Sequence, residues 1–169
     1  MAVVLPLLVG FSRIIVGAHY PTDVLAGLAL GVFAMVVVPA LESKIKNSVL
    51  LYSIFLITAL PGLLYCKSSD YYTAVGLLIG FMGGTLLEEK AVRFENEKRL
   101  VYILLRVIGG VAVYFVINKL LKLPFSSDFL ASGSYAALLI RCVRYAVVAF
   151  VDFGIYPMAF RYFERAKQI

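Results

Sequence analysis

Residues 21–41 read PTDVLAGLALGVFAMVVVPAL, an apolar run in which Asp23 is the one charged residue. A helix needs about 20 predominantly apolar residues to cross the hydrocarbon core of a bilayer, so this run predicts a membrane-spanning helix. Similar runs predict four more spans, at residues 48–66, 72–87, 100–120 and 135–160. The sequence therefore predicts an all-α, polytopic helical membrane protein with about five full transmembrane helices.

The composition of the 169-residue chain agrees with this fold class. Apolar residues make up 62% and charged residues 15% of the chain, and the mean hydropathy is +0.94. A soluble domain is about half apolar and about a quarter charged, so the composition argues against a soluble protein and against a disordered one. We assign the net charge of +6 to loops that face an anionic leaflet and expect no nucleic-acid partner.

A shorter apolar run covers residues 1–11 and is ended by Ser12 and Arg13. Helix of this length covers only about half of a hydrocarbon core. The run also lacks the basic region and the small-residue cleavage site of a secretory signal. We interpret it as a truncated N-terminal helix, the far half of a span whose beginning is absent. A re-entrant or interfacial segment is the alternative.

Lys and Arg are distributed unevenly between the two predicted sides of the membrane. One side has nine of them, and the other side has four, namely Arg13, Lys67, Lys119 and Lys122. Because short loops rich in Lys and Arg stay in the cytoplasm, the turn over residues 12–23 is predicted to face the extracytoplasmic side.

That turn reads SRIIVGAHYPTD and combines several features of a phosphate site. His19 and Asp23 are four residues apart, so they can meet on one face of a helix. A carboxylate on one imidazole nitrogen fixes the tautomer and leaves the other nitrogen free to attack. Arg13 offers a planar fork that suits phosphate oxygens, Ser12 adds a hydroxyl, and a nearby helix N-terminus favours anions. The pattern predicts a nucleophilic histidine beside a phosphate-binding group.

This turn resembles the third motif of the type-2 phosphatidic acid phosphatase superfamily. The resemblance lies in the spacing, in which five residues separate Ser12-Arg13 from His19 and three residues separate His19 from Asp23. Residues 19–27 are also very similar to that family's sequence at this motif. The resemblance implies that His19 is the nucleophile that forms a phosphohistidine and that Asp23 orients it and stabilises its charge. It implies that Ser12 and Arg13 hold the phosphoryl oxygens. No metal and no cofactor would be needed, and the substrate would be a lipid phosphate or diphosphate at a membrane, the plasma membrane of a bacterium.

The chain departs from the family in lacking two other motifs, a Lys…Arg-Pro motif and a Pro-Ser-Gly-His motif whose histidine protonates the leaving group. His19 is the only histidine. The resemblance implies two parts, residues 1–41 as the C-terminal part of a phosphatase-like helical core and residues 42–169 as a four-helix transmembrane extension. We expect this chain alone to be incomplete and inactive, with a missing N-terminal half as its partner.

Two other functions stay open. A non-catalytic membrane module that binds lipid or a partner chain is favoured by the single histidine. A transporter with broken helices would show a matched pair of interrupted spans, and none is visible. The motif residues also have structural interpretations, since Arg13 can snorkel to headgroups and Asp23 can be a charge at a helix N-terminus.

Small residues recur at intervals of four in two predicted spans, as Gly27 and Gly31 in one and Gly76, Gly80 and Gly84 in the other. Such a stripe lets two helices approach closely. We expect the glycines to pack within the chain, with a homodimer through these Gly-rich helices as the alternative.

Four charged residues lie inside predicted spans and away from the first and last turns, where unpaired charges are costly. Arg106 and Asp152 lie at similar depths, about 10 and about 13 Å from the cytoplasmic side, and we predict an ion pair between them. Arg141 and Arg144 lie near the other end, where we expect them to snorkel, with binding of anionic headgroups as the alternative.

Prolines and polar residues predict the remaining breaks in the helices. Pro61 and Pro157 predict kinks or early helix ends. Residues 121–134 predict an extracytoplasmic loop with a short surface helix. Cys66 and Cys142 lack metal-type spacing, and we interpret them as packing residues.

Overall fold

The computed structural model describes residues 4–92 and 99–160, and within these ranges the chain is helical and has no strand. This confirms the all-α fold class. The helices are α1 (Val4–Ile15), α2 (Pro21–Lys44), α3 (Ser48–Ala59), α4 (Gly62–Tyr65), α5 (Ser69–Leu87), α6 (Leu100–Leu120), α7 (Ser127–Ala131) and α8 (Tyr135–Phe150). A π-helical turn continues α5 over Glu88–Val92, and another continues α8 over Val151–Ile155.

Three stretches of the described residues are long and apolar enough to cross a membrane, namely Pro21–Lys44, Ser48–Tyr65 and Leu100–Leu120. The chain is therefore an integral membrane protein, but the predicted number of five full spans is not confirmed. The shorter apolar helix α1 has 12 residues. The other two predicted spans correspond to α5 and α8, which supply most of the buried residues of the chain.

The chain divides into two compact units, residues 1–51 and residues 52–169. In the first unit, α1 and α2 pack against each other as a helical hairpin. A Cβ on Gly10 would lie 2.7 Å from Cγ1 of Val24, so the missing side chain lets the two helices approach. Neither helix has a buried residue, which leaves most of their apolar side chains exposed.

The core of the second unit is the contact between α5 and α8. A Cβ on Gly76 would overlap the carbonyl oxygen of Cys142, and one on Gly80 would overlap the carbonyl oxygen of Ala146. Only glycine lets the two backbones come this close, because any side chain would displace α8. This confirms the prediction that the glycine stripe of α5 packs within the chain.

The stripe continues into the π-helical turn after α8. A Cβ on Gly84 would lie 2.9 Å from the backbone nitrogen of Gly154. Gly27 and Gly31 of α2 differ from this stripe, because a Cβ on either would meet nothing within 4 Å.

Pro157 explains the π-helical turn over Val151–Ile155. Proline lacks an N–H, and its ring crowds the carbonyl four residues before it. Widening the helix relieves this conflict. The N–H of Tyr156 bonds to the carbonyl of Val151, five residues back, and helical backbone continues over residues 156–160. The sequence predicts a kink or an end at Pro157, and the structure shows a widened turn instead.

Pro61 interrupts the second predicted span, which the structure divides into α3 and α4. Two tyrosines of α5 satisfy carbonyl groups at this break. The hydroxyl of Tyr71 donates to the carbonyl of Ala59 at 2.6 Å, and that of Tyr72 donates to the carbonyl of Leu63 at 2.7 Å. The predicted effect of Pro61 is confirmed, and the break is stabilised from a neighbouring helix.

Arg144 is buried, with 5% of its surface exposed, so the prediction that it snorkels is wrong. Its Nη2 donates to Oδ1 of Asn118 on α6 at 2.8 Å. Because α6 supplies an acceptor inside the unit, the guanidinium does not need to reach the membrane surface.

The segment before α8 contains the predicted short helix, α7. The hydroxyl of Ser126 accepts a hydrogen bond from the N–H of Phe129 and caps α7, and Ser134 caps α8 in the same way through Ala137. Ser and Thr at these positions stabilise helix starts because they satisfy free N–H groups.

Candidate functional site

The four predicted site residues lie around the turn between α1 and α2, in the first unit. Ser12 and Arg13 belong to the last turn of α1, which continues to Ile15. The helix therefore continues past the apolar run of residues 1–11, which these two polar residues end. The hydroxyl of Ser12 donates to the carbonyl of Val9 at 2.8 Å, so it is accommodated inside the helix, and Arg is a good helix former.

Helix α1 ends just before Gly17, which determines the conformation of its C-terminus. Its φ is +71°, which is in the left-handed region that glycine adopts most easily. Its N–H bonds to the carbonyl of Ile14, and the N–H of Ala18 bonds to the carbonyl of Arg13, both at 3.0 Å. This pair of bonds is the Schellman motif of helix C-termini. The backbone of Arg13 is thereby tied directly to the residue before His19.

Asp23 caps the following helix. Tyr20 is the N-cap residue of α2, and Pro21 occupies the first helical position. Oδ2 of Asp23 accepts a hydrogen bond from the N–H of Tyr20 at 3.0 Å, while its own N–H donates to the carbonyl of Tyr20 at 3.0 Å. The carboxylate satisfies a free N–H and complements the positive end of the helix dipole.

His19 lies between these two caps and outside both helices. It precedes the N-cap of α2, so the predicted helical i,i+4 geometry with Asp23 does not apply. The structure records no hydrogen bond between the imidazole of His19 and Asp23 or Arg13, all of which are described residues. All three are exposed, as is Ser12.

The turn thus places Ser12, Arg13, His19 and Asp23 at one end of the helical hairpin. The hydrogen bonds that cap α1 and α2 hold the backbone of this turn. Oδ2 of Asp23 is occupied by the N–H of Tyr20, which leaves Oδ1 as the acceptor for an imidazole. The positive end of the α2 helix dipole also favours an anion at this place. Among the described residues there is no group of three or more His, Cys, Asp or Glu that could hold a metal ion.

The second unit contains a cavity that sequence reasoning did not identify. It has a volume of about 1070 Å³ and lies between α5, α6 and residues 148–160. Arg106 and Asp152 both line it. The structure shows no ion pair between these two described residues, and Oδ1 of Asp152 is buried without a hydrogen-bonding partner among the residues that the structure describes. The hydropathy pattern identified both charges but gave no signal of the space between the helices.

Two family matches cover most of the chain. The family described as PAP2 superfamily phosphatase, transmembrane extension, matches residues 72–168. The family described as PAP2 superfamily matches residues 1–47, a range that contains the whole turn between α1 and α2. No curated protein and no solved structure shows a significant match.

Proposed function

The chain belongs to the PAP2 superfamily of phosphatases with a transmembrane extension, and from this premise we propose that it is a lipid-phosphate or lipid-diphosphate phosphatase that acts through a phosphohistidine at His19. The resemblance to the type-2 phosphatidic acid phosphatases is confirmed at the level of the family. The observation that carries the proposal is the family match over residues 1–47, which includes the capped turn with Ser12, Arg13, His19 and Asp23.

In this reaction one ring nitrogen of His19 attacks phosphorus, and the bond from phosphorus to the ester oxygen breaks. The alcohol leaves with the electron pair of that bond and takes up a proton. Water then attacks the phosphohistidine, which releases phosphate and restores the imidazole. The exposed position of His19 between two caps leaves the ring open to a substrate from the membrane surface.

The neighbouring side chains take the other roles. Arg13 holds the phosphoryl oxygens, and Ser12 joins it when its hydroxyl gives up the hydrogen bond to the carbonyl of Val9. The N-terminus of α2 adds favourable electrostatics. Asp23 receives the second ring N–H of His19 on Oδ1 while Oδ2 keeps its bond to Tyr20. One carboxylate would therefore fix both the start of the helix and the tautomer of the nucleophile.

The proton for the leaving alcohol must come from a group other than a second histidine of this chain, because His19 is its only histidine. General acid catalysis contributes about a hundredfold to ten-thousandfold in rate. We therefore propose that this chain alone has little or no activity on alkyl phosphate esters such as lipid phosphates. The uneven distribution of Lys and Arg supports an extracytoplasmic position of the site.

An experiment can test the nucleophile separately from the missing acid. The purified chain in detergent would be given a nitrophenyl phosphate, whose phenolate leaves without a proton, and in parallel a phosphatidic acid. We expect an acid-labile phosphoryl group on His19 from the first substrate, absent in His19→Ala, and almost no turnover of the second. No phosphoryl group on His19 would contradict the nucleophile, and vanadate-sensitive turnover of phosphatidic acid would contradict the inactivity.

A non-catalytic membrane module that binds lipid is the second candidate, and the cavity of the second unit favours it. Wild-type chain that binds phospholipid but acquires no phosphoryl group on His19 would support this function over the first.

A further inference from the structure

The cavity of the second unit has an apolar wall along most of its length. Side chains of α5 and α6 form this wall, among them Leu77, Phe81, Val107, Val111 and Phe115. The volume of about 1070 Å³ is at the upper end of small-molecule sites, which measure about 300–1,000 Å³. Val107, Val111 and Phe115 are each at least half exposed, so the cavity is open to an apolar ligand from the side.

Two charges of opposite sign line the same cavity, on different helices. Arg106 lies on α6, and its guanidinium lies over the ring of Phe160, 4.4 Å from the centroid. The hydroxyl of Tyr156 donates to the backbone carbonyl of Arg106 at 3.0 Å, which ties the start of α6 to the end of the last helix. This contact holds the cation in place beside the apolar wall.

Asp152 supplies the negative charge, from the π-helical turn after α8. Its Oδ1 is buried and has no hydrogen-bonding partner among the described residues. A buried acceptor without a partner is costly, and the cost is largest for a charged group. A ligand with an N–H or O–H donor at this end of the cavity would remove the cost.

We propose that the cavity binds a phospholipid whose headgroup has a phosphate and a primary ammonium group, as in phosphoethanolamine lipids. The phosphate contacts Arg106, the ammonium donates to Asp152, and acyl chains lie along the apolar wall. Charge complementarity selects this ligand. A phosphatidic acid brings an anion without an ammonium toward Asp152, and a trimethylammonium headgroup has the same charges but no N–H to donate.

The first test measures lipid binding to the purified, delipidated chain in detergent by native mass spectrometry. Phosphatidylethanolamine and phosphatidylcholine with identical acyl chains are compared. We expect about tenfold tighter binding of the ethanolamine lipid, the range expected for one hydrogen bond between charged groups. Equal affinities, or preferential binding of phosphatidic acid, would overturn the proposal.

Variants test whether the preference for the ethanolamine lipid arises in the cavity. Asp152→Ala, which removes the acceptor, should abolish the preference for the ethanolamine lipid, and Asp128→Ala, the same change on the exposed helix α7, should retain it. Ala74→Phe enters the apolar wall from an exposed position of α5 and should weaken binding of both lipids. A preference that persists in Asp152→Ala would overturn the proposal.

A series of headgroups keeps the test decisive even if Asp152→Ala does not fold. With the wild-type chain, mono- and dimethylated ethanolamine lipids should bind nearly as well as the parent lipid, and affinity should fall at the third methyl group, where the last N–H is lost. A steady decline across the series would indicate a steric effect and would overturn the role of Asp152. The readout is binding rather than hydrolysis, so its result does not depend on the proposed function.

Discussion

At the scale of single residues, the turn between α1 and α2 depends on the backbone of Gly17 and the carboxylate of Asp23. Gly17 has a φ of +71° with no atom within 4 Å of an added Cβ. Its substitution therefore tests backbone conformation without a steric clash. The carboxylate of Asp23 accepts a hydrogen bond from the N–H of Tyr20 and so caps α2. Its second, proposed role is to orient His19.

Gly17→Ala should destabilise the first unit by about 1–2 kcal/mol, because a side chain disfavours the left-handed conformation. Thermal unfolding in detergent measures the change. Gly27→Ala is the matched control, since Gly27 also has open space but lies inside α2, where alanine is expected to stabilise by about 0.5–1 kcal/mol. Equal effects of the two substitutions would contradict the role of φ at Gly17.

Asp23→Asn should separate the two tasks of this carboxylate. The amide oxygen can still accept the N–H of Tyr20, so unfolding should change little, whereas formation of phosphohistidine should fall by about a hundredfold or more because the imidazole loses its charged partner. Asp23→Ala should lower both quantities, and loss of the cap should cost about 1 kcal/mol. Unchanged labelling of His19 in Asp23→Asn would restrict Asp23 to capping.

At the scale of helices, the second unit depends on close approach of α5 and α8. Gly80→Ala should destabilise it by about 1–3 kcal/mol, the usual range for overpacking, because the added Cβ overlaps backbone rather than a flexible side chain. Gly110→Ala is the control, since its Cβ would lie 3.6 Å from Cε1 of Tyr156, an ordinary contact. Unfolding in denaturant measures both variants, and a neutral Gly80→Ala would contradict the packing.

The break at Pro61 tests a second helix contact. Tyr72→Phe removes the hydroxyl that donates to the carbonyl of Leu63 and should destabilise by about 1–2 kcal/mol, because a part-buried carbonyl loses its partner. Tyr65→Phe changes a tyrosine that is 86% exposed and should have almost no effect. Similar losses for both variants would argue against the capping role of Tyr72.

At the scale of the whole molecule, helix α6 has no buried residue and meets the rest of the second unit through a few polar contacts. Asn118→Leu should destabilise by about 1–3 kcal/mol, because it removes the hydrogen-bond acceptor of the buried guanidinium of Arg144. The double variant Asn118→Leu, Arg144→Met should recover most of the loss. A double variant as unstable as the single one would show that the contact between these two residues is not the cause.

The sequence by itself determined the helical membrane fold, the family and the candidate site. Apolar runs of membrane length require helices, because a bilayer offers no partner for free backbone groups, and the motif from Ser12 to Asp23 is local in the chain. The intramolecular role of the glycine stripe was also predicted, since a spacing of four places Gly76, Gly80 and Gly84 on one helix face.

Tertiary structure decided the features that depend on neighbours distant in sequence. Arg144 is buried beside Asn118 on α6. Arg106 and Asp152, for which the sequence predicted an ion pair, line a cavity instead. Two tyrosine hydroxyl groups of α5 donate to carbonyl groups at the break in the second span. His19 lies outside α2. Periodicity reports which residues share a helix face, but the space and the hydrogen-bonding partners opposite that face depend on how the helices pack.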